Sequence, residues 1–257
     1  MKKSLLFLSS ILLTAFFLTG CLDTEEDLTI TANGSGTYKT TIDMSGLFDM
    51  MQMAAMMDTS ASSQLKEFSD KNIDSSFSLG AFTDTAATLT AEEKAILHDG
   101  TAHMTINQKS KVFKIVLNYP FKKVEDVGKI MQLQQSGKSF NPMGKGLDNP
   151  ALGGMDRGLP STGEITTTDF KNGSIERKVD EQKLDALKKD ENFSQVMSAG
   201  EMLSGVTFTT NIRLPKPVKS SSGANVSVSN DKKTVTLKYT LLDMFKTPKA
   251  LEFKVEY

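Results

Sequence analysis

Strict alternation of apolar and polar residues recurs along the chain. In the last stretch Leu251, Phe253, Val255 and Tyr257 fall on one side and Glu252, Lys254 and Glu256 on the other. Val235, Leu237 and Tyr239 oppose Thr234, Thr236 and Lys238, and Phe113, Ile115, Leu117 and Tyr119 repeat the pattern. Side chains along a strand point alternately to opposite faces, so this period predicts antiparallel strands with one buried and one wet face.

The strands come in pairs, each followed by a helical run. The first unit is Leu28–Ala32, a turn at Asn33-Gly34-Ser35-Gly36, Thr37–Asp43 and a helix from Ser45; the second is Ala102–Asn107, a turn at 108–110, Lys111–Tyr119 and a helix over 122–135. The third is Glu164–Phe170, a turn at Lys171-Asn172-Gly173, Ser174–Val179 and a helix capped by Asp180. The fourth is Asn225–Ser229, a turn at 230–232, Lys233–Thr240 and a short helix over 241–246, stopped before Pro248. Asn-Gly between β-rich runs is a strong hairpin signal. Single strands are expected near Ile73–Leu79 and Val206–Leu214, and Leu184, Leu187, Phe193, Val196 and Met197 approximate the apolar stripe of a covering helix. The fold class is therefore α+β: antiparallel sheets with helices on one face, built of repeated hairpin-plus-helix units. The order hairpin, helix, strand, hairpin, helix occurs in 28–137 and again in 164–257, which leaves open two similar halves or the chance recurrence of a common unit.

The amino terminus breaks this pattern. Lys2 and Lys3 precede an apolar run from Leu5 to Leu18, too short to span a bilayer permanently and shaped like a secretory signal. It ends in Leu18-Thr19-Gly20-Cys21, which resembles the lipobox of bacterial lipoproteins. The resemblance implies cleavage between Gly20 and Cys21, with a diacylglyceryl group on the Cys21 thiol and acylation of the new amino group. Cys21 is the only cysteine, so no disulfide forms within the chain. No cofactor is expected beyond this covalent lipid. Two or more acyl chains hold a protein stably on a membrane without a spanning helix. The residues that follow, Leu22-Asp23-Thr24-Glu25-Glu26-Asp27, are so acidic that they read as a solvated tether. They also resemble the acidic stretch of surface-exposed Bacteroidota lipoproteins. Leu at position 22 is compatible with transfer to the outer membrane.

The expected layout is a signal peptide at 1–20, lipidated Cys21 and tether over 21–27, a first half at 28–137, a Gly/Pro-rich linker or loop at 138–163 and a second half at 164–257. The strand, Asn33–Gly36 turn, strand and helix following a lipidated cysteine also resemble, in topology, the LppM-like domains of envelope lipoproteins. That likeness implies an association with envelope lipids or glycolipids and carries over no site.

Charge changes the picture by exclusion. The formal net charge is −1, and loss of Lys2 and Lys3 makes the body more acidic, so no electrostatic footprint for nucleic acid exists. There is no Trp, which argues against a carbohydrate-stacking surface.

The most unusual local feature is a methionine cluster, Met44, Met50, Met51, Met53, Met56 and Met57. Soft thioethers suit Cu(I) or a variable apolar ligand, and Met50, Met53 and Met57 are the candidate apolar-ligand surface. Leu47, Phe48, Ala54 and Ala55 make the segment apolar nearly all round, which favours core packing. His98 and His103 are the only histidines, separated by Gly100. Thr90-Ala91-Glu92-Glu93 reads as a capping box for a helix that His98 closes, so a structural role outweighs a metal site. No Gly-x-Ser-x-Gly, phosphate-binding loop or Rossmann glycine pattern occurs. The sequence thus points to a lipid-anchored cell-envelope protein that is a non-catalytic binding or assembly module with an envelope protein or lipid partner. Its alternatives are an apolar-ligand handler with a pocket under the Met-rich helix, or a hydrolase whose carboxylates converge from distant segments.

Overall fold

The computed structural model describes residues 22–46, 48–49, 72–86, 88–136, 162–189, 197 and 200–257. The strands are β1 (Leu22–Ile30), β2 (Gly36–Asp43), β3 (Asn72–Ser78), β4 (Thr101–Asn107), β5 (Val112–Phe121), β6 (Thr166–Lys171), β7 (Ser174–Val179), β8 (Val206–Arg213), β9 (Ser220–Ser222), β10 (Val226–Val228), β11 (Thr234–Thr240) and β12 (Phe253–Glu256). The helices are α1 (Leu79–Thr85), α2 (Ala91–Leu97), α3 (Asp126–Gln135), α4 (Glu181–Lys188) and α5 (Leu241–Lys246). Among the described residues the strands form an eight-stranded sheet in the order β10-β11-β8-β1-β2-β5-β4-β3 and a four-stranded sheet in the order β6-β7-β12-β9.

Several predicted turns and caps form for the predicted reasons. The β1–β2 turn has Gly34 at φ +83°, a backbone conformation that glycine adopts without penalty. Asn33 Oδ1 accepts from the Ser35 amide at 3.1 Å within the turn. Thr90 and Glu93 make a reciprocal capping box on α2, Thr240 and Asp243 make another on α5, and the Asp180 carboxylate accepts from the amides of Gln182 and Lys183. Each cap satisfies amides that the first helical turn leaves without partners.

Two expectations are corrected, and a third point is one the sequence leaves open. The covering layer over the large sheet is not helical alone: Phe170, Ile175, Phe253, Val255 and Tyr257 of the smaller sheet share one core with Leu28, Tyr38, Leu117 and Val235 of the larger and with Val127, Ile130 and Leu133 of α3. The sheets are not wholly antiparallel, because β1 and β8 pair in parallel from Leu22–Val206 to Thr29–Arg213. The two segments of similar element order do not pair alike. The hairpins β1–β2 and β4–β5 join through β2 and β5, whereas β6–β7 and β10–β11 lie in different sheets. Period-two alternation fixes which face a residue takes, and says nothing about which strand sits beside it.

Leu22–Asp27, read as a solvated tether, is the first part of β1, a central strand bonded to β2 on one side and β8 on the other. Its acids satisfy the alternation. Asp23, Glu25 and Asp27 project from the uncovered face, while Leu22, Thr24, Glu26, Leu28 and Ile30 turn toward the core. Net acidity over six residues conceals this division.

Candidate functional site

One row on the inner face of the large sheet carries a charged side chain, Glu26. Register places Leu117, Thr40, Glu26, Thr210 and Leu237 side by side across β5, β2, β1, β8 and β11. Thr40 and Thr210 are buried, and the Glu26 side chain is 16% exposed. The Tyr38 hydroxyl donates to Glu26 Oε1 at 2.8 Å, and the Thr210 hydroxyl donates to Oε2 at 2.8 Å. From the smaller sheet Arg177 reaches down, its side chain 2% exposed, with Nη2 3.8 Å from Glu26 Oε2. The guanidinium lies over the Phe253 ring at 5.3 Å, and its Nε donates to the Thr168 hydroxyl at 3.2 Å. Its Nη1 is buried without a hydrogen-bond partner among the described residues.

This cluster joins β1, β2 and β8 of one sheet to β6, β7 and β12 of the other. Burial, and then the Glu26 charge, raise the Tyr38 hydroxyl well above the usual tyrosine range. That phenol therefore remains a hydrogen-bond donor throughout the physiological range. An isolated ion of either sign would be expensive here, and the two partly offset one another. The chemistry available is cross-linking of the two layers. The neutral donors to the carboxylate and the ring under the guanidinium supply what a long ion pair alone does not.

Both charged partners had a signal in the sequence. Arg177 stands between Ile175 and Val179 on the inward side of β7, and Glu26 precedes Leu28 and Ile30 on the inward side of β1. A charge in phase with an apolar stripe marks a buried pair. Recognising it required starting β1 at Leu22.

The opposite face, uncovered among the described residues, carries a polar lattice. Asp23 accepts from the Thr207 hydroxyl, and the Asn211 amide donates to Glu25 at 2.8 Å and to Asp27 at 3.1 Å. Thr236 donates to Asn211 Oδ1 at 3.0 Å, while Lys39 pairs with Asp27 at 2.7 Å and Lys114 with Asp43 at 3.1 Å. For Asp43 burial is the largest single influence and pushes its pKa up. Hydrogen bonds from Ser45 and the Lys114 charge together outweigh it and hold the carboxyl below its ordinary value.

The residues singled out in the sequence distribute as follows. Gly20, Cys21, Met50, Met53 and Met57 lie outside the described residues, as do Phe193 and Val196 of the expected helical stripe and 138–161 of the expected linker. Met44 and Phe48, which begin the methionine-rich run, are 4% and 5% exposed and belong to the main core. The histidines are not brought together. His98 Nδ1 is 3.0 Å from Asp99, and that hydrogen bond raises its pKa. His103, on β4, has Ser76 at 2.9 Å from Nδ1 and Asp74 at 3.0 Å from Nε2. Among the described residues no three carboxylates, histidines or cysteines group as metal ligands. Two open depressions have charged walls: one of about 270 Å³ is bordered by Glu176, Lys178, Lys249, Glu252 and Lys254, the other of about 370 Å³ by Lys94, His98, Asp99 and Lys122. Neither has the apolar lining an acyl chain needs.

No protein-family model and no curated protein matches the chain. Among solved structures, the NMR structure of the folded domain of Mycobacterium tuberculosis LppM aligns over 94% of this chain and 92% of that one, with a TM-score of 0.38 and 7% sequence identity. At that overlap and identity the likeness assigns neither fold nor function to this chain.

Proposed function

We propose that this protein is a cell-envelope lipoprotein, anchored by lipid on Cys21, whose α+β body is a non-catalytic binding or assembly module displayed from the outer membrane. The observation that supports the reading is that Leu22, the residue after Cys21, belongs to a central strand of the large sheet. Cleavage between Gly20 and Cys21 removes the apolar leader and leaves intact Leu22, which is already paired with Val206 in the large sheet. Cleavage further along would take residues out of a central strand, and cleavage earlier would leave leader attached to it. Cys21 is the only cysteine in the chain, which excludes an internal bridge and supports lipidation as its role.

The body supports a binding role through its uncovered polar lattice. The Asp23, Glu25 and Asp27 carboxylates stand beside Thr207, Thr209 and Asn211, held by hydrogen bonds rather than free to collapse. Preordered polar groups lose little entropy when a partner docks.

The test is expression of the full precursor with an alkyne-bearing palmitate, and mass measurement of the amino-terminal peptide. The wild type takes the label, fractionates with the outer membrane and yields a peptide beginning at acylated Cys21. Cys21→Ala loses label and attachment together; an alanine variant that still labels sinks the reading.

A further inference from the structure

We propose that the bilayer surface is the partner of one particular end of the large sheet. Acylated Cys21 holds the start of β1 against the headgroups, so the sheet stands upright on the membrane. The inference rests on the anchor reading above and adds an orientation to it.

The geometry follows from β1. Leu22 is already paired with Val206, and Asp23 is paired with Asp43 on one side and Thr207 on the other. Consecutive Cα atoms are about 3.8 Å apart, so the lipidated residue lies within one residue's reach of the sheet end. A ten-residue flexible spacer would instead give the body a radius of roughly 17 Å in which to tumble. Nothing of that kind separates Cys21 from the sheet.

Register identifies what shares that end. The start of β8, the end of β2, the end of β11 at Thr240 and the start of β5 all lie there. So does the β4–β5 turn with exposed Lys109, Ser110 and Lys111. Of the acids at this end, Asp43 pairs with Lys114 at 3.1 Å and Asp49 with Lys111 at 2.5 Å, whereas Asp23 keeps its charge and accepts a hydrogen bond from the neutral Thr207 hydroxyl. The two ion pairs leave less uncompensated charge facing anionic headgroups than the number of acids suggests. The β1–β2 turn, Thr31–Ser35, lies at the other end, about 30 Å away along a nine-residue strand. The polar lattice then runs along the membrane normal and faces partners approaching from the side.

Because acylation blocks the Cys21 thiol, one added cysteine in the mature lipoprotein takes a fluorophore alone. Lys109→Cys reports on the anchor end, with Ser110→Cys as a second reporter, and Ala32→Cys on the far end. The proteins are reconstituted into vesicles of phosphatidylethanolamine and phosphatidylglycerol bearing a headgroup nitroxide quencher. Quenching at 109 and 110 should exceed that at 32 by at least roughly threefold, given the separation along β1. Inserting ten Gly/Ser residues between Cys21 and Leu22 should largely abolish the difference. Equal quenching at both ends in an acylated, vesicle-bound protein overturns the orientation. Contrast that survives the insertion overturns its attribution to the short attachment. Absence of acyl mass on Cys21 is a separate result, and it fails the anchor reading itself.

Discussion

Replacing Glu26 by Leu should be among the most damaging single changes in the described core. The substitution removes the acceptor of two hydrogen bonds, from Tyr38 and Thr210, both at 2.8 Å. It also strands Arg177, whose side chain is 2% exposed and whose Nη1 already lacks a partner among the described residues. Breaking a buried pair from one side costs about 3–5 kcal/mol, because the surviving charge stays in the interior. With Glu26 itself 16% exposed and its ion pair long at 3.8 Å, the lower half of that range, about 3 kcal/mol, is the appropriate estimate. Arg177→Met should cost less, about 1–2 kcal/mol, since Glu26 keeps two hydroxyl donors and some solvent.

The informative measurement is the double variant. If the two charges matter to each other, Glu26→Leu with Arg177→Met recovers about 1–2 kcal/mol relative to the sum of the single changes, the size seen for residues in one network. Urea unfolding of the mature chain carrying Cys21→Ser, followed by circular dichroism, gives all four free energies, provided the slopes agree. A Glu26→Leu cost below about 1 kcal/mol would refute the reasoning, because it would mean that Arg177 finds solvent or another partner easily. Strict additivity would show the 3.8 Å approach to be incidental.

Two further changes test separate features. A Cβ on Gly36 would run into the Thr29 carbonyl and lie 2.7 Å from Phe121 Cζ, so Gly36→Ala should cost at least about 2 kcal/mol by urea unfolding, and a neutral result would contradict the β1–β2–β5 register. The hydrogen bond to Asp99 raises the His98 pKa, so any stability from this pair is fully present below the unfolded histidine range and fades as pH rises through the higher folded value. Proton NMR titration should show His98 above the ordinary histidine pKa in the wild type and lower in Asp99→Asn; an unmoved titration would remove the assigned cause.

What the sequence made legible was local. Alternation in 234–239 and 251–257 assigned faces correctly, the Asn33-Gly34 turn formed with Gly34 at positive φ, and Thr90 with Glu93 capped α2. What it hid was pairing over distance. Thr210 and Glu26 meet across 184 residues of chain, and no property of either strand names the other. The same blindness produced the misread tether. Asp23, Glu25 and Asp27 on one face and Glu26 on the other look like uniform acidity until Thr207, Asn211, Tyr38 and Thr210 are set beside them. Composition describes a solvated segment well only when the segment has no neighbours.

That placement constrains the order of events on the anchor reading. β1 can pair with β2 as soon as residue 43 is out, but its other edge waits for Val206–Arg213. Closing so long a loop is slow, since contacts of large sequence separation carry a large entropy before they form. The enzymes that modify and cut around Gly20 and Cys21 need an extended, accessible chain, and Leu22 loses that freedom once it is bonded to Val206. Lipidation therefore belongs before completion of the large sheet. On the anchor reading the body then folds already attached, through the residue that precedes its central strand. A mutation that speeds β1–β8 closure would lower processing without touching the lipobox, whereas one that weakens the closure would leave processing intact and destabilise the product.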